Sequence, residues 1–368
     1  MAFEKIKVND SGVELAYTDS GPVAGSSSYS TIVVIHGLCF SSNIFKRVQA
    51  IAANKGVRFI AVSRRNYPGS TAFTSEELEV MTNGSPAKRD EWMKERGHEY
   101  GMLIDGLIQK YDLPSVSADG KTGGVILYGW SLGSGEANAT IAHADTLPAP
   151  VRARLGSYIR SLILHEGPPL VFGLPMPEKD WAPFHVDSVP PELRFPFFAQ
   201  WVTGYFDHED LSKRDLNTLS YILPSSARPG TIYNITKEEF GSIVFTGKEI
   251  AMEGPYMLGF GSQLNAAYRK ALFDASYTGE LFPKVVVSVL AGDQAPAFGI
   301  AALWAIQDEA RKQGVDSIKF EMSVGANHFV SISLMSYVFA ELEGGFLKIH
   351  WDEPERALDL YLDLASPV

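Results

Sequence analysis

Three kinds of side chain in this 368-residue chain could act together: a serine on a tight turn, a histidine, and a carboxylate to orient it. Ser131 stands in Gly129-Trp130-Ser131-Leu132-Gly133, directly after the apolar run Val125-Ile126-Leu127-Tyr128 and before a stretch rich in Ala and Gly. A serine held on a sharp strand-to-helix turn is exposed at the sheet edge, and flanking glycines let strand and helix approach without Cβ clashes. The same turn puts the Leu132 amide at a helix N-terminus, where an unpaired N–H and the helix dipole stabilise a developing oxyanion.

A serine hydroxyl is a weak nucleophile at neutral pH and needs a base, and the chain offers 8 histidines. His328, in Gly325-Ala326-Asn327-His328-Phe329, follows the last predicted strand and shares a sheet edge with Ser131 if both strands are parallel. His36 reads instead as a turn histidine bonded to neighbouring backbone, His165 enters the next segment directly, and the others lie in helical or inserted stretches. The base in turn needs a buried carboxylate to fix its tautomer. Asp293, after Ala291-Gly292 at the end of a strand, is the expected acid. Glu166 is its rival, with a local salt bridge as the alternative reading. The second oxyanion donor is expected from the loop His36-Gly37-Leu38-Cys39, as the amide of Leu38. Cys39 has no acidifying neighbour in sequence and reads as a packed small residue.

The elements that must position these residues follow from pattern. Lys5 to Asn9, Val13 to Thr18, Thr31 to Ile35, Val57 to Val62, Gly124 to Tyr128, Ile159 to Leu164, Lys284 to Leu290 and Ser317 to Val324 read as strands. Helices are predicted over Asn43 to Lys55, up to about Tyr111, Leu132 to His143, Phe298 to Gln313, Val330 to Leu342 and Pro354 to Leu364. The alternation implies an α/β fold, a mostly parallel sheet with helices on both faces. The expected layout is a core over 1–165 with a surface insertion at about 68–100, a mainly helical cap over 166–282, and the rest of the core over 283–368. The aromatic cluster between Trp181 and Phe206 either lines an apolar pocket or packs the cap onto the core.

Composition sets outer bounds. Hydrophobic residues at 45% and charged residues at 20% are ordinary for a globular chain. A net charge of -11 without a Lys/Arg-rich run argues against nucleic acid and against an anionic membrane surface. A single cysteine excludes an intramolecular disulfide and a thiolate zinc cluster. With no apolar stretch of signal or membrane-spanning length, a cytoplasmic location is expected. Oligomeric state stays open between monomer and homodimer.

The segments IVVIHG, LYGWSLGSG, LAGD and GANHF resemble the strand-loop signatures of the α/β-hydrolase superfamily, over most of the chain outside 68–100 and the cap. The resemblance implies a Ser131-Asp293-His328 triad, in the chain order associated with that fold, with oxyanion amides from Leu38 and Leu132. One departure is Ser63-Arg64-Arg65-Asn66-Tyr67-Pro68-Gly69-Ser70, where relatives often carry Asp-x-Arg-Gly-x-Gly, which leaves the salt bridges of that turn open. This turn and the long cap are similar to capped, fungal-type members. Serine at the elbow disfavours epoxide hydrolase and haloalkane dehalogenase chemistry, which needs a carboxylate there. The implied activity is hydrolysis of a carboxylic ester or lactone of a small to medium, fairly apolar substrate through an acyl-enzyme, without metal or organic cofactor. An acyltransferase or carbon-carbon hydrolase on the same triad, a slow-turnover ligand receptor, and a cofactor-free lyase or oxygenase using His328 and Asp293 are the alternatives.

Overall fold

Apolar, β-branched runs make strands that can be buried on both faces, and in this protein they form the middle of one sheet. The structure is a computed structural model that describes residues 2–245, 250, 253–329 and 354–367. Its strands are β1 (Glu4–Lys7), β2 (Glu14–Asp19), β3 (Ser30–Ile35), β4 (Val57–Ser63), β5 (Val125–Trp130), β6 (Ile159–His165), β7 (Val286–Gly292) and β8 (Lys319–Ser323), each close to its predicted range. They lie in the order β1-β2-β4-β3-β5-β6-β7-β8. The pairs β1–β2 and β2–β4 are antiparallel and every later pair is parallel. Strands β3 to β6 are buried along their whole length, whereas β1 is an exposed edge.

Because β4 and β5 flank β3 on opposite sides, the chain reverses its direction of travel across the sheet there. The crevice beyond the carboxyl ends of β3 and β5 is where an open parallel sheet binds ligands. His36, Ser131, Glu166, Asp293 and His328 all follow the C-terminal ends of parallel strands at that edge.

Before β5 come α1 (Lys46–Ala52), α2 (Ser75–Asn83) and α3 (Pro86–Tyr111). Thr74 and Glu77 form a capping box on α2, and Ser85 caps α3 ahead of Pro86. Within the expected surface insertion at 68–100, residues 68–91 other than Met81 are exposed or half-buried, whereas further along α3 packs on α4 (Gly133–Ala142), and Trp92, Met93, Arg96, Glu99 and Tyr100 are buried. Charged residues at those positions imitate a solvated face in sequence, but they are buried as ion pairs. Glu99 bonds Arg96 at 2.8 Å and Arg65 at 2.7 Å. Arg65 also meets Glu77 at 2.9 Å, so the Arg-Arg turn after β4 has its own salt bridges.

After α4 come α5 (Ala149–Tyr158) and β6. The described helices between β6 and β7 are α6 (Pro191–Val202), α7 (Lys237–Ile243), α8 (Glu253–Gly259), α9 (Gly261–Phe273) and α10 (Ala275–Leu281), with short 3₁₀ turns between them. Helix α11 (Ala297–Gln313) covers the sheet after β7 and ends at Gly314, whose φ of 68° suits a left-handed C-cap. The predicted helix Val330 to Leu342 lies outside the described residues. Helix α12 (Pro354–Leu364) buries Ala357, Leu358, Tyr361 and Leu364 on one face. The chain beyond it is tied to the sheet by Arg160 Nη1 donating to Ala365 O at 2.6 Å.

Candidate active site

Ser131 sits where β5 turns into α4. Its φ of 55° is left-handed, a conformation that costs a non-glycine residue about 1–2 kcal/mol. The surroundings hold it there: Ser131 N–H donates to His165 O at 2.7 Å, and Ser131 O accepts from Ser134 N–H at 3.0 Å. A Cβ on Gly133 would stand 2.2 Å from Ile35 O, so only glycine lets α4 start this close to β3. Ser131 is 8% exposed at the head of a helix that is buried throughout.

His328 lies in the loop after β8, against this elbow. Trp130 Nε1–H donates to His328 O at 3.1 Å, and the Trp130 and His328 rings are 5.1 Å apart at 35°. Phe298 meets the imidazole edge-on at 5.4 Å. The preceding residue, Asn327, anchors the loop to the segment between β6 and β7 through Nδ2 bonds to Thr203 O at 2.8 Å and Thr231 Oγ1 at 2.9 Å. The Ser131 hydroxyl makes no hydrogen bond to another described residue.

The carboxylate on His328 is Glu166, not the expected Asp293. Glu166 Oε2 lies 2.5 Å from His328 Nδ1, and Glu166 Oε1 accepts the Gly292 N–H at 2.6 Å. A left-handed backbone at Glu166, φ 49°, places its fully buried side chain between β6 and the His328 loop. Asp293 supports that loop from outside: its Oδ1 accepts the Ala326 N–H at 3.1 Å, and its own N–H donates to Ser323 O at 3.0 Å. Burial alone pushes the His328 imidazole down to about 3 and lifts the Glu166 carboxyl well above the usual carboxylate range, the Gly292 N–H opposing the latter. Burial thus disfavours the imidazolium form of His328 in the resting protein.

The loop after β3 reaches Ser131 from the other side. A Cβ on Gly37 would be 2.7 Å from Ser131 Cβ and 3.1 Å from Oγ, so the backbone itself abuts the Ser131 side chain. His36 is the turn histidine expected: its Nδ1 bonds Gly37 O at 2.9 Å, and its Nε2 accepts the Arg64 N–H at 3.0 Å. These partners require the neutral Nδ1–H tautomer, and burial together with the Arg64 charge lowers the ring's pKa well below normal. Among the described residues the amides of Leu38 and Leu132 donate to no protein group, which leaves both N–H groups available. Cys39 is buried with φ 71°, and desolvation raises its thiol pKa, which disfavours the reactive thiolate.

Of the other histidines, His165 bonds the Tyr128 hydroxyl through Nδ1, His98 bonds Thr146, and His208 bonds Ala295 O and accepts the Ser220 N–H. His350 and the side chain of His185 lie outside the described residues. The described residues hold no cluster of His, Cys, Asp and Glu suited to a metal ion, and no helix among them is long and apolar enough to cross a membrane. The aromatics after β6 pack on one another: Trp181 on Trp201 at 5.6 Å, Phe184 on Phe198 at 4.8 Å, and Trp201 on Phe206 at 5.4 Å. Trp201 also touches Phe298 at 6.3 Å, so the ring stack continues to His328.

Glu253 and Tyr67 are site neighbours that sequence reasoning missed. Glu253 Oε1 pairs with Arg64 Nη2 at 2.7 Å, and its Oε2 accepts from Tyr67 OH at 3.3 Å. Tyr67 belongs to the unusual turn after β4, which was the one available signal.

The alpha/beta hydrolase family model matches residues 32–339. The chain belongs to that family and is an enzyme of the hydrolase class. Solved structures are similar to it at low identity. The thioesterase domain from the curacin biosynthetic pathway is similar at 17% identity and a TM-score of 0.45, over 98% of this chain and 100% of that one. Bromoperoxidase from Bacillus anthracis is similar at 15% identity and a TM-score of 0.47, over 98% and 100%. Esterase RhEst1 from Rhodococcus sp. is similar at 16% identity and a TM-score of 0.46, over 100% of both chains. No curated protein matches the chain.

Proposed function

We propose that this protein is a serine hydrolase that cleaves a carboxylic ester or lactone of a small to medium, fairly apolar substrate through an acyl-enzyme. The observation that carries this reading is the Glu166–His328 pair seated against a left-handed serine elbow. With Nδ1–H donated to Glu166, the Nε2 lone pair of His328 is the proton acceptor. Ser131 Oγ attacks the carbonyl carbon as its proton passes to His328, and the oxyanion is bound by the amides of Leu38 and Leu132. Collapse expels the alkoxide, which takes the proton from His328. Water, deprotonated by His328, then attacks the acyl-enzyme and releases the carboxylic acid and Ser131.

We assign Glu166 as the orienting acid in place of Asp293. The segment over 166–282 acts as a cap, supported by its helical make-up and by the Asn327 bonds that join it to the His328 loop. Its stacked rings, continuous with Phe298, favour an apolar acyl or alcohol group near the imidazole. The substrate is a free small molecule, and the net charge of -11 speaks against a nucleic-acid partner.

The test is labelling with a fluorophosphonate followed by peptide mapping, with turnover of an aryl-ester chain-length series on the same preparation. Modification of Ser131 and hydrolysis of the series are expected. A chain that takes no label and cleaves none of the esters is not a serine hydrolase.

A further inference from the structure

The Leu38 amide is one peptide group in a loop whose neighbours on both sides are held from behind. Gly37 O accepts His36 Nδ1–H at 2.9 Å and Arg64 Nη1 at 3.3 Å. In a trans peptide the carbonyl and the next N–H point opposite ways, so anchoring Gly37 O on Arg64 turns the Leu38 N–H away from Arg64. On the far side, the Cys39 N–H donates to Tyr67 OH at 3.0 Å, and the left-handed φ of 71° at Cys39 is kept in place by that bond. Both anchors converge on one carboxylate. Glu253 Oε1 meets Arg64 Nη2 at 2.7 Å and Oε2 accepts from Tyr67 OH at 3.3 Å. The Tyr67 hydroxyl thereby donates once and accepts once, its full use.

We propose that Glu253, acting through Arg64 and Tyr67, is the positioning residue that aims the Leu38 N–H at the oxyanion. It touches no substrate. It comes from α8, between β6 and β7, and its side chain is 8% exposed. Glu136 also faces Arg64, but at 3.8 Å, and it contacts no atom of the loop. The inference rests on the serine-hydrolase reading above, because only that chemistry makes the direction of the Leu38 N–H matter.

The test compares wild type, Tyr67→Phe and Glu253→Gln on an aryl ester, with two inhibitors: a trifluoromethyl ketone that forms a tetrahedral adduct on serine, and the non-hydrolysable ether analogue of the substrate. If Glu253 aims the donor, kcat falls about tenfold or more in both variants, in keeping with partial loss of one oxyanion donor. The trifluoromethyl ketone Ki rises by the same factor, while KM and the ether Ki move less than about threefold. A purely structural role would lower thermal stability without this split. Glu253→Gln leaves a buried guanidinium short of its counter-charge, and if it fails to fold, Tyr67→Phe decides. Unchanged kcat and ketone affinity in Tyr67→Phe, or equal shifts in both inhibitors, overturns the proposal. Fluorophosphonate labelling of wild type keeps the two readings apart: absence of label on Ser131 sinks the hydrolase reading and the inference together, whereas labelled wild type with indifferent variants sinks the inference alone.

Discussion

Glu166 Oε2 meets His328 Nδ1 at 2.5 Å, and the peptide just before Glu166 also holds Ser131, since His165 O accepts the Ser131 N–H at 2.7 Å. One strand end thus contacts both His328 and Ser131. Removing the charge while keeping the shape should be severe: Glu166→Gln is expected to lower kcat about 10³-fold or more, by presenting His328 with the wrong partner for its Nδ1–H. Asp293→Asn, which retains an acceptor for the Ala326 N–H, should stay within about tenfold of wild type. Steady-state kinetics on one aryl ester separates the two, and the opposite ranking returns the acid role to Asp293.

Ser131→Ala and His328→Ala are each expected to reduce turnover by about three orders of magnitude or more while the fold is kept. The double variant should be little worse than either single one, because the pair acts as a unit. Additive losses would show that the two side chains work independently. Circular dichroism and kinetics on the three proteins check this.

The buried histidines should make stability fall as pH drops below about 6.5. Burial lowers the pKa of His36 well below 6.5, of His143 to about 4 and of His328 to about 3, and His208 is lowered as well. A histidine depressed in the folded state binds protons first in the unfolded one, so its stabilisation is complete above about 6.5 and drains away as pH drops toward the folded value. Urea midpoints measured at pH 7.5, 6.5, 5.5 and 4.5 should decline steadily below 6.5. A midpoint that holds level from 7.5 to 4.5 would contradict the burial of these rings in the neutral form.

Gly133→Ala puts a methyl 2.2 Å from Ile35 O, at the end of β3, and 2.8 Å from His36 O, in the loop that follows it. The start of α4 must shift, at a cost of about 1–3 kcal/mol. Reduced urea stability together with lost ester turnover is the expected result, and a variant as stable and active as wild type would mean that the elbow tolerates the displacement.

The strand positions and the serine elbow were legible in sequence because each rests on local order: an unbroken β-branched run from Thr31 to Ile35 in β3, the apolar run Leu162-Ile163-Leu164 in β6, and Gly129 and Gly133 flanking Ser131. His328 was legible from its place after a strand. Which carboxylate meets His328 was not, since Asp293 and Glu166 both follow parallel strands. What separates them is a left-handed φ at Glu166 and the Gly292 N–H that receives its second oxygen, neither of which residue type reveals. The burial of Arg96 and Glu99 in α3 was hidden for a related reason. Arg96 and Glu99 look solvated until Arg65, from a distant turn, completes their charge. Glu253 was invisible because its partners, Arg64 and Tyr67, are brought to it only by the fold.

The place where the chain leaves β6 has a practical consequence for protein engineers. Anyone exchanging the stretch before β7 for another, to install a different specificity, must make the splice downstream of Glu166. A junction one residue earlier would carry off the histidine's partner together with the transplanted piece and leave a well-folded but inert scaffold.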